Sequence, residues 1–240
     1  MAWQETGNFY NFSNIRYAAP PVGELRFASP QPPATNRSTV NTGSVGRVCP
    51  QANPAWELLA SQFLQEYLQG LPININTSVL SGGGNTTIQL DPRTTEDCLF
   101  LDVLVPKPIL DNGYGTRGAP VLGKVRPTVV PFMVISDHEL TTMLVWLYGG
   151  GYTTGDKSAL NGGGPSGLIH RSNDSIIYVA LNYRLGAFGW LSGPTFQQNG
   201  TANAGLHDQR FALEWVQQYI HLFGGDPGRV TVMGESAGGT

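Results

Sequence analysis

Residues 229–240 read RVTVMGESAGGT. Val230, Thr231, Val232 and Met233 make a short apolar run with β-branched members, the pattern of a strand. Gly234-Glu235-Ser236-Ala237-Gly238 follows at once and fits G-x-S-x-G. In that motif the chain turns sharply from strand into helix and lifts the serine above the end of a sheet. The glycines leave room where backbone segments would otherwise collide. Taken alone, the pentapeptide equally suits a plain turn serine after an edge strand, so its surroundings decide.

The second piece of chemistry lies upstream. Leu144-Val145-Trp146-Leu147 is another apolar strand pattern, running straight into Tyr148-Gly149-Gly150-Gly151-Tyr152. A tetrahedral ester intermediate carries a negative oxygen and needs backbone N–H donors fixed where that charge develops. Consecutive glycines after a strand can aim N–H groups that way. Hydrolases of the G-x-S-x-G type combine such a loop with the N–H of the residue after the serine, here Ala237. The run Gly162-Gly163-Gly164 reads instead as a flexible turn.

The bulk properties narrow the class. The 240 residues are 40% hydrophobic, enough for one substantial core. Charged residues are 13%, about half the usual share. A net charge of −3 without a basic cluster argues against nucleic acid and against an anionic membrane surface. No apolar run approaches the ~20 residues of a membrane span, and Met1-Ala2-Trp3-Gln4-Glu5 lacks the regions of a signal peptide. The four histidines are scattered and the cysteines number two, so neither a metal site nor a cofactor is expected. Cys49 and Cys98 read as a disulfide closing a loop of about 50 residues, worth ~4 kcal/mol on the chain-entropy model; two buried free thiols are the alternative. Six N-x-S/T sequons, at Asn11, Asn36, Asn76, Asn85, Asn173 and Asn199, exceed chance and favour a secretory history.

Along the chain, Ile15 to Ala18 reads as a strand and Ala19-Pro20-Pro21-Val22-Gly23 as a rigid turn. Ala55 to Leu68 has helical spacing and reads as a surface helix. Leu99 to Val105 and Ser175 to Leu181 are buried-strand runs. From Asp208 the period is helical through Ala212, Trp215, Val216, Tyr219 and Ile220, with Asp208 as N-cap and Gly224 just past the end. Strands separated by helix, with the serine at a strand's C-terminal end, predict an α/β fold with a largely parallel sheet.

Together these segments resemble the type-B carboxylesterase family, relatives of cholinesterases and fungal extracellular lipases. The matching stretches are IRYAAPPVGELRF (15–27), EDCLFLDVLVP (96–106), VWLYGGGY (145–152), NYRLGAFGWL (182–191) and NAGLHDQRFALEWVQQYIHLFGGDPGRVTVMGESAGG (203–239). The resemblance implies an α/β-hydrolase fold and a serine acyl-enzyme acting on a small-molecule or lipid ester. It makes Ser236 the acylated serine, matches Gly150, Gly151 and Ala237 to the oxyanion hole, and matches Glu235 to a glutamate lining the active-site gorge. Cys49 and Cys98 match the family's first disulfide. Arg26 with Glu96, and Arg184 with Asp208, match two structural ion pairs.

Two departures matter. In hydrolases of this kind the serine precedes an Asp or Glu and then a His. Thr240 is four residues beyond Ser236, and His138, His170, His207 and His221 match no triad position. The expectation is that residues 1–240 form a partial domain, the N-terminal half of an esterase and inactive alone; a catalytically dead, cholinesterase-like binding or adhesion protein is the alternative. The family also runs a phrase like APVLVW directly into its glycine loop. Here residues 123–143 separate Ala119-Pro120-Val121-Leu122 from Val145-Trp146, and they read as translated intron.

Overall fold

The computed structural model of this chain describes residues 4–35, 38, 41–44, 46–52, 55–74, 91–111, 119–120, 143–158 and 165–239. In chain order the strands are β1 (Gln4–Thr6), β2 (Phe9–Arg16), β3 (Phe100–Pro106), β4 (Ala119–Pro120), β5 (Met143–Leu147), β6 (Tyr178–Leu181), β7 (Gly225–Asp226) and β8 (Val230–Gly234). The helices are α1 (Ala55–Leu68), α2 (Lys107–Asp111), α3 (Pro165–Arg171), α4 (Gly186–Trp190) and α5 (Ala204–Tyr219). Residues 123–143 fall outside the described residues except for the start of β5.

Six strands form one sheet in the order β1-β2-β3-β6-β5-β8. Gly7, at φ +58°, turns β1 back onto β2 as a hairpin, so the chain's first strands are antiparallel. β2–β3 and β3–β6 are also antiparallel, whereas β6–β5 and β5–β8 are parallel. The strand expected at Ile15–Ala18 therefore starts earlier, at Phe9, because it is one arm of that hairpin. The strand expected from Ser175 starts only at Tyr178: Ser175 is drawn into a turn, its Oγ donating to the Ser172 carbonyl at 2.6 Å.

Apart from Asp102, β3 is apolar on both faces because both faces are covered. Leu101, Val103 and Val105 pack with Val145, Val179 and Leu181, and onto Ala212, Val216 and Ile220 of the α5 side. Leu104, Tyr178 and Ala180 pack on the opposite face with Phe9 and with Ile169 of α3. The α1 helix forms where its spacing predicts and keeps Leu64, Tyr67 and Leu68 exposed. Among the described residues no helix is long and apolar enough to cross a membrane.

Asp208 is not an N-cap. α5 begins at Ala204, after Asn203 in the left-handed region, and Asp208 lies in the second turn, fully buried. Its carboxylate accepts from Arg184 Nε and Nη2 at 2.7 Å each and from the Arg184 backbone N–H at 3.1 Å. Arg184 spends its other donors on the carbonyls of Leu25, Arg26 and Ala28. One buried guanidinium thus ties the end of β6, α5 and the N-terminal segment together. Burial pushes the Asp208 carboxyl up, and the Arg184 contacts pull against that shift. Arg26 pairs with Glu96 through Nε–Oε2 at 2.5 Å nearer the surface. Gly224, at φ +80°, stops the 3₁₀ turn Ile220–Phe223 that prolongs α5.

Asp208→Ala would leave the buried Arg184 charge without its anion and should cost about 3–5 kcal/mol. The double change Arg184→Met with Asp208→Leu should recover most of that loss. Urea unfolding followed by far-UV circular dichroism checks both.

Candidate active site

The parallel strands β5 and β8 end side by side, with Leu147 opposite Gly234. Glu235 follows β8, its N–H donating to the Leu147 carbonyl at 3.3 Å. Ser236 then opens a 3₁₀ turn, Ser236–Gly239, with φ +53°. A side chain in that left-handed region costs about 1–2 kcal/mol, which the surrounding close contacts must over-determine. A Cβ on Gly234 would strike the Gly238 carbonyl, and one on Gly238 would strike the Leu147 carbonyl. Both motif glycines are therefore required by backbone against backbone. Glu235 and Ser236 are exposed, while Ala237 and Gly238 are buried.

The glycine loop lies directly against this turn. A Cβ on Gly149 would sit 2.7 Å from the Glu235 carbonyl oxygen, 2.8 Å from Ser236 Cβ and 3.0 Å from Glu235 Oε2. Gly150 and Gly151 follow at φ +106° and +59°. The Gly150 carbonyl accepts from the N–H groups of Thr153 at 3.1 Å and Thr154 at 3.0 Å, closing a tight turn. Among the described residues the N–H groups of Gly150 and Gly151 donate to nothing. Because a trans peptide directs its N–H opposite to its carbonyl, the Gly151 N–H faces out of that turn.

The loop rests on a reciprocal tyrosine pair. Tyr148 and Tyr183 stack with ring centroids 4.4 Å apart. Tyr148 donates its hydroxyl to the Tyr183 carbonyl at 3.1 Å, and Tyr183 donates to the Tyr148 carbonyl at 2.6 Å. Burial raises both phenols above their ordinary value, so they stay neutral donors. Beyond the loop, the Lys157 ammonium meets Asp102 of β3 at 2.7 Å, both side chains largely buried. Sequence reading missed this pair. The signal was a carboxylate inside the apolar run Leu99–Val105, which demands a partner when buried.

Cys49 and Cys98 are disulfide-bonded and fully buried. His170 lies in the last turn of α3, His207 in the first turn of α5 and His221 in the 3₁₀ turn after it. Among the described residues the Ser236 hydroxyl has no hydrogen-bond partner, and His138 lies outside them. Asn173 and Asn199 are on exposed turns, whereas Asn11 is within β2 with its Oδ1 buried. Asn36, Asn76 and Asn85 lie outside the described residues.

The profile described as the Carboxylesterase family matches residues 1–240. The chain belongs to the carboxylesterase family. Carboxylesterase patB of Aspergillus clavatus is 42% identical over 253 aligned positions, covering 100% of this chain and 41% of that protein. Carboxylesterase patB of Penicillium expansum is also 42% identical with the same coverages. A secreted lipase of Arthroderma benhamiae is 44% identical over 147 positions, 60% of this chain and 24% of its own. Among solved structures, EstA of Aspergillus niger superposes with a TM-score of 0.64 at 30% identity over 96% of this chain and 33% of its own. A PNB esterase gives 0.65 at 30% identity, covering 98% and 36%. This carboxylesterase-family chain has a partial α/β-hydrolase fold, and it spans about two fifths of the length of the curated patB relatives it matches.

The glycine contacts give a contrast. Gly238→Ala should destabilise by about 1–3 kcal/mol or more, through forced backbone movement. Gly167→Ala, in α3 with open space around the new methyl, should stabilise by about 0.5–1 kcal/mol. Parallel denaturant titrations of the two variants check the sign of each.

Proposed function

We propose that this carboxylesterase-family chain carries the acylating machinery of a serine ester hydrolase. The observation that carries the reading is the seating of Gly149 against Ser236 and Glu235, with N–H groups on the next two glycines that donate to nothing among the described residues. Ser236 Oγ attacks the ester carbonyl carbon. The oxygen that becomes negative is held by the N–H groups of Gly150, Gly151 and Ala237, each such donor typically worth ~3–4 kcal/mol of barrier. The tetrahedral intermediate expels the alcohol, and water then hydrolyses the acyl-serine. Glu235, exposed beside the serine, borders the path of the substrate. Acid and base partners are expected in the order Asp or Glu, then His, after the serine.

No described histidine bonds to Ser236, and loss of triad members costs ~10⁴–10⁶ in rate. The 240-residue chain by itself is therefore proposed to be inactive. Purified chain should show no p-nitrophenyl butyrate turnover above background. Turnover that disappears in Ser236→Ala would overturn that. That no described histidine bonds to Ser236 also favours a second reading, a dead binding or adhesion protein of cholinesterase type. The intact turn at Ser236 and the unused loop amides weigh for the hydrolase. The disulfide, the sequons and the likeness to a secreted lipase support an extracellular parent protein.

Residues 123–143 are proposed to be translated intron. Pro120 of β4 pairs with Asp226, and Met143 of β5 pairs with Val230, both parallel. Residues 121–142 thus separate β4 from β5, although the positions they pair with are separated only by residues 227–229. Sequencing the spliced transcript should reveal a message without the segment. Its presence in most mature copies would rule the proposal out.

A further inference from the structure

We propose that Gln51 is a positioning residue for the glycine loop, transmitting the fixed position of the Cys49–Cys98 disulfide to the backbone beside Ser236. Its catalytic meaning rests on the hydrolase reading above; its geometry does not. Gln51 Nε2 donates to the Cys49 carbonyl and to the Gly155 carbonyl, each at 2.9 Å. The Gly155 N–H returns a bond to Gln51 Oε1 at 2.6 Å. The side-chain amide therefore meets a backbone residue with both a donor and an acceptor, as a neighbouring strand would. Next to it the Ala52 N–H donates to the Thr153 carbonyl at 2.8 Å.

Two contacts without slack carry this hold onward. A Cβ on Gly155 would lie 2.5 Å from Tyr148 Cδ2 and 2.7 Å from the Gly149 carbonyl oxygen. A Cβ on Gly149 would lie 2.8 Å from Ser236 Cβ. Gln51, Gly155, Gly149 and Ser236 thus form a line in which each member abuts the next. The far end of the loop is held separately. The Lys157 N–H donates to Asn182 Oδ1 at 2.8 Å, and Asn182 Nδ2 donates to the carbonyls of Arg47 and Cys98. Removing the Gln51 bonds should therefore loosen the near end of the loop and leave the sheet intact.

Hydrogen exchange of the 240-residue chain, read by mass spectrometry, tests this with two variants. Gln51→Met keeps the length and loses all three bonds. Gln51→Glu keeps an acceptor for the Gly155 N–H and loses the amide donors. Peptides spanning residues 148–156 should exchange roughly tenfold faster in Gln51→Met and only about threefold faster in Gln51→Glu. Peptides from β3 and β6 should match the parent chain. Unchanged loop exchange in Gln51→Met, or equal acceleration in β3 and β6, overturns the proposal. The measurement uses no substrate, so a failed ester assay and a failed exchange test are distinguishable.

Discussion

The carbonyl of Leu147 leaves no room for a side chain on Gly238, and the site is built around that approach. It requires β5 and β8 to lie parallel and to end level, as the Leu147–Gly234 pairing has them. It brings the Glu235 N–H onto the same carbonyl, so the chain leaves β8 with one route open. That route passes through Ser236 in the left-handed region. The strain is local and modest, and the pairing of both strands holds it in place.

What supports this approach is polar and buried, and its partners are explicit. The tyrosine pair at 148 and 183 fills the space below the glycine loop while satisfying both hydroxyls. Arg184 and Asp208 do the same one layer further out, with three carbonyls of residues 25–28 completing the guanidinium. Buried polar groups of this kind contribute little net stability when complete and are costly when half removed. They therefore specify one arrangement of strand ends more than they strengthen it.

The features legible in the sequence were those with local signatures. The strand before Ser236, the glycine run and the helix over residues 55–68 all announce themselves in short consecutive stretches, and the cysteine pair in being the chain's two cysteines. Their relation to a known family extended that reading to residues 15–27, 96–106 and 203–239. What stayed hidden depends on partners distant in sequence. From spacing alone Asp208 reads as a helix cap, because its relation to Ala212 is local; only the family resemblance joins it to Arg184, on the preceding strand connection. Gln51 and Lys157 carried no pattern of their own; each is defined by a neighbour more than fifty positions away. The antiparallel first strands were hidden because Gly7 alone marks the hairpin.

In the described sheet β8 is the outermost strand on its side, and Val232 and Met233 are both 39% exposed. An edge strand with such side chains offers its outer backbone groups as a template for another extended chain. Among the described residues, the strand that aims the serine therefore also has one side without a neighbouring strand. Left uncovered, it would favour clumping in concentrated solution over a stable monomer.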